Sequence, residues 1–367
     1  MSAARILLYC RAGFEKECAQ EISAVAAEMG VEGFVKARPD SGFALFQAHQ
    51  DDMGAELGRN LEFRRLVFPR QMVRASELLA LPEVDRVTPI VAAARALGRR
   101  FAALWIEMPD TNDGKSLSTL TKPLTPHLER ALAKAGIAID DAKAAERLHV
   151  FFVGGRACHV GVSDVGNSSR WPMGIARLRM PSGSPSRSTL KLAEALLEFL
   201  DEEERAKRLA PGMTAADLGA SPGGWTWQLV QRELMVTAVD NGAIDPRLLE
   251  TGQVKHRRDD GFHYRPAEPI DWMVCDMVES PSKIARLASR WIAEGWCRDT
   301  IFNLKLPMKK RWEEVGRCRE IIDTELGGAG YYLRMKHLYH DREEVTAYLA
   351  RRQREPLHSK RNVKEKP

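Results

Sequence analysis

The stretch ADLGASPGGWTWQLV, residues 216–230, reads as the end of a strand, a tight turn and the opening of a helix. The apolar run from Thr214 to Leu218 reaches Gly219, the turn Ser221-Pro222-Gly223-Gly224 follows, and Trp225 to Val230 has amphipathic helical spacing. Strand, small-residue turn and helix in this order make the cradle with which α/β folds meet a nucleotide. The turn lacks the lysine of a triphosphate loop and is not a strict GxGxxG. Proline fixes its own φ near about −65° and has no N–H, so Pro222 is expected at the start of the helix. Gly223 and Gly224 are expected to let the backbone approach a ligand.

Working downstream, short apolar strands alternate with helices: TAADLG, TWQLVQREL, MVTAVD, DWMVCD, a helix over Ser282 to Glu294, TIFNLKL, a helix over Lys310 to Leu326, then YYLRMKHLY and EVTAYLARR. A long helix over Thr189 to Arg208 precedes them. The pattern predicts a largely parallel sheet closed by an antiparallel pair, with ligands beyond the carboxyl ends of its strands. Asp240 ends the second strand, 23 positions after Asp217, where a carboxylate accepts hydrogen bonds from both ribose hydroxyls. Asp260, in RRDDGF, stands where a third strand would deliver an acceptor to an adenine amino group, with Asp259 its close competitor. Taken in order with the turn, these acids favour an adenosine-containing ligand. A nucleoside with a methionine tail suits the turn better than a pyrophosphate.

Upstream, RILLYC is strand-like, FEKECAQEISAVAAEMG is helical and stops at Gly30, and FVKARPDSGFALFQA reads as two strands around Pro39-Asp40-Ser41-Gly42. A helix through PIVAAARALGRR, a strand FAALWIEMP, a helix from about Lys115 to Ala135 and a hairpin-like RLHVFFVGGRACHVGVS complete an α+β region over residues 1–165. It holds no phosphate loop and no ligand-spaced cluster of His, Cys or carboxylates, so no chemistry is expected there. Residues 166–185 are rich in Gly, Pro and Ser and form a connector. Its Arg170, Trp171, Arg177 and Arg179 suit phosphates and a stacked base, or equally a solvated linker around one buried tryptophan. The catalytic-type domain then runs over 186–355, and 356–367 is a basic, disordered tail.

Composition narrows the class. A chain of 367 residues with 44% hydrophobic residues can build about two domains, each with its own core. No apolar run approaches the roughly 20 residues that span a bilayer, and the N-terminus does not read as a signal peptide. Six scattered cysteines without a CxxC pair indicate reduced thiols and neither a disulfide frame nor a metal site, so a cytoplasmic protein without membrane or metal is expected. The net charge of +5 lies wholly in the last 17 residues, where seven Lys or Arg face two Glu. That tail is either solubilising or an arm that attracts phosphate.

DLGASPGGWT (217–226), with VCDM, NLKLPM and REEV downstream, resembles the ribose 2′-O-methyltransferases of the S-adenosylmethionine-dependent superfamily, whose loop reads G-x-x-P-G-G-[FW]. PSRSTLKL (185–192) resembles the segment that carries the first member of their Lys-Asp-Lys-Glu tetrad. The resemblance places that tetrad on Lys191, Asp276, Lys305 and Glu344. It implies a cofactor site of Ser188, Gly219, Ser221, Pro222, Gly223, Gly224, Asp240, Asp260 and Asp276. CRAGFEKECAQEI, VTPIV, VCDMVESPSKIA, NLKLPMKKR and YHDREEVT extend it, over essentially the whole chain, to the bacterial 23S rRNA cytidine 2′-O-methyltransferases of the RlmM family. What this implies is a ferredoxin-like subdomain and a THUMP RNA-binding domain in front of a Rossmann-like methyltransferase domain. It also implies a cytidine of the peptidyl-transferase region as target, with 23S rRNA, naked or in a precursor particle, as partner and no obligatory protein partner. Ser221 stands where some members carry cysteine, a small residue either way.

Chemistry gives the tetrad expected roles. Ribose hydroxyl is a poor nucleophile and must be aligned and deprotonated. Lys305 is the expected general base, its pKa depressed by partial burial and by the Lys191 cation. Asp276 would orient Lys305 and the hydroxyl, and Glu344 would hold the lysine pair. Base methylation is disfavoured: CDMVES lacks the [DN]-P-P-[YF] of amino-directed enzymes, and no cysteine sits in a Pro-Cys motif. The alternatives are an RNA-binding assembly factor with an inactive methyltransferase shell, or a methyltransferase of another RNA.

Overall fold

The computed structural model describes residues 4–327 and 330–351. The basic tail, 356–367, lies outside the described residues. The front region opens β1 (Arg5–Tyr9), α1 (Glu15–Glu28), β2 (Gly33–Ala37), β3 (Phe43–Ala48), α2 (Asp51–Asn60), β4 (Gln71–Ala75). These strands pair antiparallel in the order β2-β3-β1-β4, the ferredoxin-like arrangement. Then follow β5 (Leu79–Ala80), α3 (Val87–Leu97), β6 (Leu104–Glu107), α4 (Asn112–Ser116), α5 (Ser118–Lys134), β7 (Glu146–Gly154) and β8 (Ala157–Asp164). β4 pairs with β8, so all of these strands share one sheet, ordered β2-β3-β1-β4-β8-β7-β6 with β5 beside β8.

The second sheet is built from β9 (Thr214–Leu218), β10 (Met235–Val239), β11 (Val254–Arg257), β12 (Ile270–Cys275), β13 (Cys297–Lys305), β14 (Tyr331–Lys336) and β15 (Glu344–Arg351). Its order is β11-β10-β9-β12-β13-β15-β14. The first five are parallel, and β15 runs antiparallel between β13 and β14, as the alternating pattern predicts. The helices are α6 (Thr189–Phe199), α7 (Glu202–Arg208), α8 (Gly224–Val230), α9 (Pro246–Glu250), α10 (Pro281–Ala293) and α11 (Arg311–Leu326). The single reversal of strand order, between β9 and β12, leaves a crevice at the carboxyl edge, where α/β sheets bind ligands.

Two expected helices are divided. The single helix over Thr189 to Arg208 is α6 and α7, because Leu200 is extended and Asp201 caps α7 in a capping box with Glu204. The helix from Lys115 is α4 and α5, separated at Leu117. The connector is strapped to the front sheet: Asn167 accepts from Phe63 N (2.8 Å) and donates to Leu61 O (2.8 Å), Ser169 N donates to Gln71 (3.1 Å), and Met173 N donates to Glu107. Arg170, Arg177 and Arg179 are exposed there and Trp171 is half-buried.

Front and back also share apolar packing. One buried cluster joins Phe14, Cys18 and Ile22 of the α1 region to Trp291 of α10, Cys318 and Ile322 of α11, and Met335 of β14. Arg311 ties the seam, donating to Glu17 at 3.2 Å and lying 4.4 Å from the Phe14 ring.

Candidate active site

Strand ends bring four distant charged residues together. Lys191 lies in the first turns of α6, Asp276 directly follows β12, Lys305 ends β13 and Glu344 begins β15. Because β13 and β15 are antiparallel, the end of one meets the start of the other, and Lys305 stands directly opposite Glu344. Lys305 Nζ donates to Asp276 Oδ1 and Glu344 Oε2. Lys191 Nζ pairs with Glu344 Oε1 and lies 3.4 Å from Asp276 Oδ2. Each carboxylate thus bridges both lysines in a closed, charge-balanced ring.

A further layer holds the ring, and sequence reasoning missed it. Asn303 lies two residues before Lys305 and so on the same strand face; its amide donates to Asp276 Oδ1 at 2.8 Å. Thr346, opposite Asn303 in the register, lies 2.7 Å from Asn303 Oδ1 and 2.9 Å from Asp341 Oδ2. Burial, aided by Glu344 and Glu194, pushes the Asp341 carboxyl well above its usual range. A neutral Asp341 can donate to Thr346, leaving the single Thr346 proton for Asn303. The period-two signal was present in the sequence, but its cross-strand partners were not.

The expected depression of Lys305 is not found. Burial does pull its pKa down, but Asp276 and Glu344 together outweigh burial and hold it above the ordinary lysine value. Lys305 in this ring is a charged lysine.

Beside the tetrad, a cavity of about 460 Å³ opens at the ends of β9, β10 and β12, walled by Gly219, Ser221, Asp240, Asp259, Asp260 and Asp276. Val239, Phe262 and Met277 add apolar wall. Gly219 has φ +77°, and a Cβ there would stand 2.5 Å from Met277 Cγ, so only glycine keeps this turn and wall together. Asp240 accepts from Ser221 N (3.0 Å) and Gly242 N (2.7 Å), which curls the turn around its carboxylate. Asp260 accepts from Phe262 N at 2.8 Å, and Asp259 from Asp260 N at 2.8 Å. Beneath, Asp217 Oδ1 is buried without a hydrogen-bond partner, and burial, with Asp276 and Asp240 adding, pushes this carboxyl up to about 7.

Four expected cofactor residues stand elsewhere. Gly223 is the left-handed N-cap of α8 and Gly224 its first residue, so Pro222 precedes the cap; the Ser221–Pro222 bond is cis. A Cβ on Gly223 would meet Leu248 at 2.4 Å, and one on Gly224 would meet Ser188 Oγ at 2.2 Å. Both glycines therefore allow close packing of the chain on itself, and neither lines the smaller cavity. Ser188, with its Oγ 2.7 Å from that of Ser186, opens onto a second cavity, of about 620 Å³, which Lys191 and Glu344 also line. Arg11, Ala12 and Asp110 wall the same cavity, so the front region reaches the neighbourhood of the ring. Among the described residues no group of three or more His, Cys, Asp or Glu is placed to hold a metal ion, and no helix is long and apolar enough to cross a membrane.

The acid-lined cavity thus opens at the carboxyl edge of the parallel sheet, with the lysine–carboxylate ring beside it. Three family models match in succession: the RlmM ferredoxin-like domain over residues 3–73, the N-terminal region of ribosomal RNA large subunit methyltransferase M over 85–164, and the FtsJ-like methyltransferase over 185–294. Proteins called ribosomal RNA large subunit methyltransferase M match nearly end to end. That of Thauera aminoaromatica is 50% identical over 351 residues, 95% of this chain and 96% of that one. That of Methylococcus capsulatus is 50% identical over 95% of this chain and 98% of its own, and that of Serratia proteamaculans 49% identical over 95% and 96%. The chain belongs to the ribosomal RNA large subunit methyltransferase M family. It is an rRNA methyltransferase with S-adenosylmethionine as its cofactor.

Proposed function

We propose that Lys191, Asp276, Lys305 and Glu344 are the machinery with which this enzyme methylates the ribose 2′-hydroxyl of one cytidine in 23S rRNA. The observation that carries this reading is the position of the ring. Asp276 lines the 460 Å³ cavity and Glu344 the 620 Å³ cavity, and Lys305 donates to both. A base must stand where methyl donor and acceptor meet, and Lys305 spans that seam.

The residues of the smaller cavity fit the cofactor. Asp240 offers carboxylate oxygens to ribose hydroxyls, Asp259 or Asp260 an acceptor to an adenine amino group, and Val239, Phe262 and Met277 apolar wall. When bound, the cofactor supplies an activated methyl group and a positive charge. Added positive charge weakens the hold of the two carboxylates on the Lys305 proton, which brings a charged lysine toward use as a base. Lys191 contributes to the same effect from within the ring, Asp276 orients Lys305 and the hydroxyl, and Glu344 ties the two lysines.

The front region, taken as 1–165 with ferredoxin-like and THUMP parts, supplies RNA affinity; 166–185 connects it to the catalytic domain, 186–355. The protein acts in the cytoplasm on 23S rRNA, naked or in a precursor particle. Lys305→Ala and Lys305→Arg test the base. Both should abolish methyl transfer while cofactor and RNA still bind, because a guanidinium is not deprotonated in this range. An active Lys305→Arg enzyme would place the base elsewhere.

A further inference from the structure

The larger cavity is walled by Lys191 and Glu344 of the ring, by Arg187, by the loop carrying Tyr339 and Arg342, and by Arg11 of the front region, which is hydrogen-bonded to that loop. We propose that it is the acceptor-nucleotide pocket: the target base stacks on Tyr339, and Arg11, Arg187 and Arg342 take the phosphates on either side of it. This rests on the reading of the tetrad as a ribose methylation site.

Charge bookkeeping around the cavity points to an anion. Glu344 is matched by both lysines, and Asp110 lies 3.8 Å from Arg70 and 3.7 Å from Lys115. Asp341 is buried, hydrogen-bonded to Leu338 N and Thr346, and held toward its neutral form by that burial. Among the described residues the guanidinium groups of Arg11, Arg187 and Arg342 have no carboxylate within 4 Å, the distance of an ion pair. Three unmatched arginines around a pocket of about 620 Å³ suit the phosphates that flank one nucleotide.

Tyr339 is held as a platform. Glu194, one turn beyond Lys191 on α6, accepts from Tyr339 N (2.8 Å) and His340 N (2.9 Å) and pairs with His340 Nδ1 (2.6 Å). From the front region Arg11 donates to Asp341 O (2.9 Å) and Tyr339 O (3.5 Å), and His337 N donates to Val67 O (2.8 Å). The Arg70 guanidinium, 4% exposed and with Nε and Nη2 lacking hydrogen-bond partners, lies 5.2 Å from the Tyr339 ring centroid. A buried cation is placed there at a desolvation cost, and it backs an aromatic ring that lines the pocket. Flat aromatic surfaces flanked by phosphate-binding arginines are the means by which proteins hold a single splayed nucleotide.

The test uses the full-length protein, with large-subunit RNA and particles from cells lacking this enzyme. Tyr339→Ala should raise KM for RNA about 10- to 100-fold, with cofactor affinity by calorimetry unchanged, and Tyr339→Phe, which keeps the ring, should lose far less. Arg187 is exposed and its side chain makes no hydrogen bond to the described residues, so Arg187→Ala removes charge without disturbing packing. It should raise KM and reduce the slope of log affinity against log salt by about one. Wild-type KM in Tyr339→Ala, equal damage in Tyr339→Phe and Tyr339→Ala, or an unchanged salt slope in Arg187→Ala overturns the pocket. Should Tyr339→Ala lose cofactor binding through misfolding, Arg187→Ala alone decides. An inactive Lys305→Ala beside unaffected pocket variants sinks the pocket and spares the tetrad, whereas an active Lys305→Ala sinks the tetrad reading.

Discussion

Lys305 is gripped by two carboxylates that are themselves shared with Lys191, and this makes the pH dependence of methyl transfer a sensitive probe of the ring. The rate should climb with pH as Lys305 loses its proton. Glu344→Gln removes one of the two charges that hold the lysine pKa up. A carboxylate in contact with a cation shifts its pKa by about 1–3 units. Part of that field is already cancelled by Lys191, on the other oxygen of Glu344, so the lower half of the range applies. The rise should therefore move down by about 1–2 units, or roughly 1.4–2.8 kcal/mol of lost preference for the charged form. Lys191→Met has the opposite sign: it removes a cation and leaves both carboxylates to Lys305, which moves the rise to higher pH by about one unit. The assay is single-turnover methyl transfer at saturating RNA and cofactor between about pH 6 and 10, so that product release does not mask the chemical step. Shifts of the same sign in the two variants, or no shift in either, would refute the ring as the source of control over the base.

Asp240→Ala should cost about 1–3 kcal/mol of cofactor affinity by calorimetry, since it removes the ribose acceptors and releases the backbone amides of Ser221 and Gly242; unchanged affinity would remove Asp240 from the site. Lys336 is 3% exposed, donates to Leu66 O at 3.0 Å and lies 3.7 Å from the Phe63 ring, and burial pulls its pKa from 10.5 down to about 8 despite Glu198 and Glu21. Between those two pH values the unfolded chain holds more protons, so folding stability should rise with pH by up to about 3 kcal/mol. Lys336→Met should lose this rise in denaturant titrations at pH 8 and pH 10.5, and an equal slope in both proteins would show that Lys336 stays charged.

The local chemistry was written in the chain. Alternating apolar runs and helices specify a parallel sheet, because each strand type and each turn is chosen by its own neighbours. Gly219 needs its positive φ, and the acids of DNG and DDGF follow strands by short, local rules. The capping box at Asp201 is local too, since Asp-x-x-Glu needs only four residues to act, yet the apolar spacing on either side of it reads as one continuous helix. What sequence could not supply was partnership. Asn303 braces Asp276 only because β12 and β13 are adjacent, and Thr346 meets Asn303 only because β15 returns antiparallel in one particular register. The sign of the Lys305 shift follows from that packing, which sets two carboxylates against burial on one ammonium. Gly223 and Gly224 are also held to glycine by Leu248 and Ser188, tertiary contacts that no reading of the turn alone could supply. Arg11 and Asp341 are 330 residues apart, yet one hydrogen bond joins them in the wall of the larger cavity. No local rule links positions at such separation, because only the packing of the front sheet against the catalytic sheet decides which loops come to share a wall.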